Sequence, residues 1–128
     1  MDPIANLLVS IKNAGERRYE SVRVPFSKIN FNIAKILERE GYVKRALEVQ
    51  EKARKFLLIE LKYIDKTFII KGLKRISKPG RRVYRKSHAL PYIKGNMGVA
   101  LISTPSGLMT NLEARKKGLG GEVLLEVW

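Results

Sequence analysis

No cysteine occurs among the 128 residues, which excludes a disulfide framework, a thiolate zinc site and a cysteine nucleophile. Histidine is nearly as scarce: His88 stands alone, so no His-rich metal cluster can form. Acid is thin as well. Asp65 is the sole carboxylate between Glu60 and Glu113, leaving His88 no sequence neighbour to orient it for proton transfer, and it reads as a surface residue at a helix start. The longest charge-free run, Gly95 to Leu112, contains Asn96, Ser103, Thr104, Pro105, Ser106, Thr110 and Asn111, too polar to span a bilayer. Asp2 and Pro3 stand where a secretory signal would carry positive charge. The expectation is a cytoplasmic chain that is not an enzyme, with no metal, no cofactor, no membrane partner and no small-molecule substrate.

What the chain does have is apolar residues, 45% of the total, and base: 26 Lys plus Arg against 12 Asp plus Glu, a formal charge of +14. The hydrophobic content supports a packed core, while such an excess of positive charge repels itself unless a polyanion relieves it. Nucleic acid is therefore the leading partner class. Residues 1–64 carry a net charge of +5 and residues 65–128 a net charge of +9. Lys71 to Lys94 holds nine bases, including Lys78, Arg81, Arg82, Arg85 and Lys86, with no acid and with Tyr84 and Tyr92 interleaved. Read blandly, this is a solvated face around a turn; read functionally, it is a set of phosphate anchors.

Ile4, Leu7, Leu8 and Ile11 share one helical face, with Asp2 as N-cap, Pro3 at the first helical position and Gly15 as the stop. A strand from Ser21 to Val24 ends at Pro25. Ser27 caps a second helix that buries Ile29, Ile33, Ile36 and Leu37, with Phe26 and Phe31 at the hydrophobic-staple positions and Gly41 ending it. Two strands then form a hairpin around Glu51 to Arg54, one alternating Val43, Leu47 and Val49 with Lys44, Ala46 and Glu48, the other repeating Leu57, Ile59, Leu61 and Tyr63. Beyond the break at Asp65-Lys66 come a Lys78-Pro79-Gly80-Arg81 turn, a strand around Val83 to Arg85, a helical turn over Ser87 to Lys94, and a β run from Val99 to Ile102. A capping box at Thr110 and Glu113 and a terminal strand from Glu122 to Trp128 complete the chain. Glu122 and Glu126 are expected on one face of that strand, and Trp128 is expected to be structural. The fold class is α+β in two small packed lobes: 1–65, an αβαββ lobe, and 66–128, a mainly β lobe with short helices that is expected to carry the nucleic-acid contacts.

The uncharged segment Ser103-Thr104-Pro105-Ser106-Gly107 offers three hydroxyls that could specify a site where lysines only position it. Equally, these are ordinary turn residues.

Ile102-Ser103-Thr104 to Met109-Thr110, then Glu113-Ala114-Arg115, Gly118 and Gly120-Gly121-Glu122, resemble the C-terminal signature of the family of the small-subunit ribosomal protein numbered eight, bacterial type. The resemblance extends to Asp2-Pro3-Ile4-Ala5, Ile11-Lys12-Asn13-Ala14, Val24-Pro25 with Ser27-Lys28, Ala34-Lys35-Ile36-Leu37, Glu40-Gly41-Tyr42 and Leu73 to Gly80. It implies a two-domain α+β protein that binds the central domain of small-subunit ribosomal RNA, sits among other small-subunit proteins, supports subunit assembly and, in some bacteria, represses its own operon. It also implies RNA contacts at Ser103, Thr104, Ser106 and Gly107, with Lys28, Lys78, Arg81, Arg82, Tyr84, Arg85 and Lys86 among the basic and polar groups holding the backbone. Two positions depart from the family pattern: Pro105 replaces a serine, and Asn111 replaces an acid in the first helical turn, a small loss of dipole complementarity. A general RNA- or DNA-binding module outside the ribosome shares the charge and is the alternative reading. A nucleic-acid-modifying enzyme would need a proton-transfer group that only His88 could supply.

Overall fold

In a computed structural model, which describes residues 2–93 and 97–128, the protein is α+β and divides into two units, Met1–Ile69 and Ile70–Trp128. The sequence expectation divides it after Asp65 instead. Asp65 and Lys66, both with positive φ (51° and 66°), are the two central residues of a hairpin turn joining β4 (Tyr63–Ile64) to β5 (Thr67–Phe68). A break in hydrophobic pattern here marks a turn inside a unit.

In the first unit, α1 (Pro3–Glu16) is capped by Asp2, whose side chain accepts from Ala5 N at 3.3 Å, and it buries Ile4, Leu7, Leu8 and Ile11. Gly15 does not stop this helix. It lies in the last turn because a Cβ there would sit 2.1 Å from the Phe68 ring, and the left-handed C-terminal position falls to Arg18, φ 59°. Next come β1 (Ser21–Pro25) and α2 (Lys28–Arg39), where Ser27 accepts from Asn30 N and the Phe26 and Phe31 rings staple the entry at 5.8 Å. Ile29 is only half-buried; Asn30 takes the interior place and donates to Pro3 O at 3.0 Å, tying α2 to α1.

Strands β2 (Val43–Glu51) and β3 (Arg54–Leu61) form the expected hairpin, and β1 completes a sheet of order β1-β3-β2. As an edge strand, β1 tolerates Pro25. A register shift between Val43 and Arg45 inverts the expected alternation, so Ala46 is fully buried while Leu47 and Val49 are half-buried.

The second unit is built on a sheet of order β6-β10-β8-β9, from β6 (Leu73–Arg75), β8 (Val99–Thr104), β9 (Gly107–Thr110) and β10 (Gly121–Val127), with β7 (Tyr84–Arg85) also paired to β10. The helical turn expected over Ser87 to Lys94 is a single 3-10 turn, Ser87–Ala89. Pro91 holds Leu90 extended and ends it. Lys94 lies outside the described residues. Helix α3 (Asn111–Lys116) opens on the Thr110 and Glu113 capping box and packs with Leu90 and Ile93 over Ala100, Ile102, Met109 and Val123. Trp128 is half-buried against that cluster and exchanges main-chain bonds of 3.0 Å with Gly72. A bulge between Val123 and Leu125 reverses the side-chain sense of β10, so Glu122 pairs with Ser103 but Glu126 with Ala100. Ser103 and Ala100 point to opposite faces of β8, and the two glutamates therefore do not share a face.

Candidate nucleic-acid interface

The basic segment and the hydroxyl segment both border β10. Chain hydrogen bonds follow this strand from Ile76 N to Leu124 O (3.0 Å) and Ser77 N to Val123 O (3.1 Å), then resume where Val123 N donates to Val83 O (2.9 Å). Between these points the chain leaves the sheet as a tight turn, closed by the reciprocal pair Lys78 and Arg81 at 3.0 and 2.9 Å. Ser77, fully buried, latches its base: its Oγ accepts from Val83 N at 3.1 Å and donates to Glu122 Oε2. Arg82 Nη1 meets the same Glu122 oxygen at 3.1 Å. This latch was not read from the sequence, although an isolated acid in so basic a half of the chain is a usable signal.

Glu122 is thus neutralised locally. Lys78, Arg81, Arg85 and Lys86 are exposed and have no carboxylate partner among the described residues, so their field reaches solvent. Arg85 Nη1 donates to the Tyr84 carbonyl at 2.8 Å, and Tyr84 is 63% exposed. Lys28, at the first position of α2, is exposed on the first unit.

The hydroxyl segment is a hairpin rather than an open loop. Ser103 and Thr104 end β8, Pro105 and Ser106 make the turn, and Gly107, at φ 111°, starts β9 opposite Thr104. Proline at the second turn position and glycine at the fourth suit this geometry. Thr104 is buried; its Oγ1 donates to Gly107 O at 2.7 Å and accepts from Ser106 N at 3.1 Å. Its hydroxyl proton closes the turn, whereas the Ser103 and Ser106 hydroxyls are exposed with no partner among the described residues. Thr104→Val should consequently lower stability by about 1 to 2 kcal/mol, read as an earlier thermal melt, by deleting both bonds and leaving Ser106 N unpaired.

The two segments meet through register. Tyr84 pairs with Glu122, and Glu122 with Ser103, which sets the three side chains in one row across β7, β10 and β8. Gly120 and Gly121 permit this closeness: a Cβ on Gly120 would lie 2.5 Å from Arg85 O, and one on Gly121 2.1 Å from Ser103 O. Basic side chains and exposed hydroxyls thus share one end of one sheet.

A concavity of about 620 Å³ lies instead in the first unit, lined by Glu20, Ser21, Lys44, Glu60, Leu61, Lys62 and Tyr63. Arg45 hydrogen-bonds Glu60 there and holds its carboxyl below the usual range. Among the described residues no group of three or more His, Cys, Asp or Glu could hold a metal, and no helix is long and apolar enough to cross a membrane.

The family model for ribosomal protein S8 matches residues 2–128. The chain belongs to the ribosomal protein S8 family. Its relatives include the small ribosomal subunit protein uS8 of Caldanaerobacter subterraneus subsp. tengcongensis, 52% identical over 128 residues, 99% of this chain and 97% of the relative. The uS8 of Corynebacterium jeikeium is likewise 52% identical over 128 residues with the same coverage. That of Dictyoglomus thermophilum is 47% identical over 127 residues, again 99% and 97% of the two chains. These relatives are named as proteins of the small ribosomal subunit and not as enzymes.

Proposed function

We propose that this chain is a structural protein of the small ribosomal subunit, working in the cytoplasm, that binds the central domain of small-subunit ribosomal RNA directly and supports assembly of the particle beside other small-subunit proteins. One observation carries the reading. Lys78, Arg81, Arg85 and Lys86, with no carboxylate partner among the described residues, border the same sheet as the exposed hydroxyls of Ser103 and Ser106, joined by the Tyr84, Glu122, Ser103 row. Bases bind phosphates without regard to sequence, and hydroxyls add the contacts that choose one irregular RNA from many. Thr104 and Gly107 shape the hairpin, Arg82 holds the basic turn through Glu122, and Lys28 is a separate exposed cation of the first unit that an RNA backbone can also engage. Repression of its own messenger would use this same surface if the messenger copies the ribosomal fold.

Competition between a central-domain ribosomal RNA transcript and unrelated duplex at moderate salt tests the proposal. A strong preference for the transcript is expected, while equal affinity for both would favour a general binding module. In the same assay, Arg81→Ala and Arg85→Ala should each reduce the log-log salt slope by about 0.7 to 0.9 and weaken both RNAs alike. Arg82→Ala should instead lower the melting temperature, since it leaves a Glu122 side chain only 16% exposed with the Ser77 hydroxyl but without its ion-pair partner. An unchanged slope in the Arg81, Arg85 double variant would place the phosphate anchors elsewhere.

A further inference from the structure

Tyr92, the second aromatic within the basic run, belongs to neither the hairpin nor the basic turn. Tyr92 is 61% exposed, yet its ring is not loose. The Arg115 guanidinium lies 3.9 Å from the ring centroid, covering one face, and Arg115 Nη2 donates to the Leu90 carbonyl. Asn111, 1% exposed, accepts from Ala100 N at 3.0 Å and donates to Pro91 O at 2.7 Å. The family's usual acid could accept at this position, but once ionised it could not make the second bond. Asn111 is thus more than a weakened helix dipole. It and Arg115 tie the Leu90 to Tyr92 strap to α3, with Leu90 and Ile93 buried on either side.

The result is a flat aromatic held by a cation on one face and 61% exposed, on the unit of higher positive charge. Arg115 Nη1 is buried and has no hydrogen-bond partner among the described residues. A cation under the ring fixes its orientation, so the entropy of ordering it is already spent before a ligand arrives. Every nucleobase has a π-face to match an open tyrosine, and stacking needs no sequence-specific partner. We propose that Tyr92, backed by Arg115, is a stacking platform for an unpaired nucleobase of the bound RNA, a contact additional to the hairpin hydroxyls and the phosphate anchors. It rests on the RNA-binding reading above.

The test titrates the full chain with a transcript of the central domain of small-subunit ribosomal RNA, comparing wild type with Tyr92→Leu, Tyr92→Phe and Tyr92→Trp. Tyr92→Leu should bind about 5- to 100-fold more weakly, while Tyr92→Phe stays within about 2-fold of wild type and Tyr92→Trp binds as well or better. The salt slope and the melting temperature should not change, because no phosphate contact or core group is removed. Wild-type affinity in Tyr92→Leu, or a loss accompanied by a shallower salt slope, would overturn the platform while leaving ribosomal RNA binding in place. So would a Tyr92→Leu defect that appears only when other subunit proteins are present, which would mark the ring as a protein contact. A wild-type chain with no preference for the transcript over unrelated duplex would overturn both readings together.

Discussion

Gly121→Ala is expected to destabilise the second unit by about 3 kcal/mol, the upper end of what one added methyl costs in a packed interior. The new Cβ would stand 2.1 Å from Ser103 O, 2.9 Å from Ser103 C and 3.1 Å from Thr104 Cα. All three are main-chain atoms of β8, so no side-chain rotation can relieve the overlap; β8 and β10 must separate where Glu122 pairs with Ser103. Gly80→Ala supplies the control. Nothing lies within 4 Å of a Cβ at that turn position, and the change should fall within about 0.5 kcal/mol of neutral. Thermal and denaturant melts of the two variants measure the contrast. Because the displaced strand carries Ser103, Gly121→Ala should also lose specific RNA affinity under conditions where it remains folded. Melting of Gly121→Ala together with wild type would mean that β10 does not approach the hairpin as closely as described.

The sequence made some of this geometry legible and concealed the rest for physical reasons. Local signals survived folding where the chain supplies its own partners: Asp2 and Ser27 cap the helices that follow them, Phe26 meets Phe31, and Thr110 exchanges bonds with Glu113, each within a few residues. Signals failed where a distant neighbour decides. Gly15 looked like a stop, but the Phe68 ring determines its place, and the β10 bulge that separates Glu122 from Glu126 leaves no mark in the alternation itself. Strand β9 was missed because four residues are too few to display a period, and its pairing to β8 makes it a strand. At the candidate interface, residue types pointed to the basic turn and the hydroxyls, while the Ser77 to Glu122 latch spans 45 positions and the Asn111 bridge to Pro91 spans 20. Thr104 shows the limit of composition: three hydroxyls look equivalent in the sequence, and one of them closes the turn.

That inequality sets up the sharpest test of specificity. Ser103→Ala and Ser106→Ala together remove two exposed hydroxyls that have no partner among the described residues, so the melting temperature should be unchanged, in contrast to Thr104→Val. If these hydroxyls pair with groups of a structured RNA, their loss leaves desolvated partners unsatisfied across the interface, and specific affinity should fall by about 1 to 3 kcal/mol, up to a hundredfold and more in the dissociation constant. Affinity for unrelated duplex should barely move, because Lys78, Arg81, Arg85 and Lys86 still neutralise phosphates, and the salt slope for both RNAs should be retained. The outcome to look for is therefore a collapse in the ratio of cognate to non-cognate affinity at constant stability and constant slope. A double variant that keeps the wild-type ratio would show that the hairpin only turns the chain, and that selection of the RNA lies with shape and phosphate placement around the basic turn.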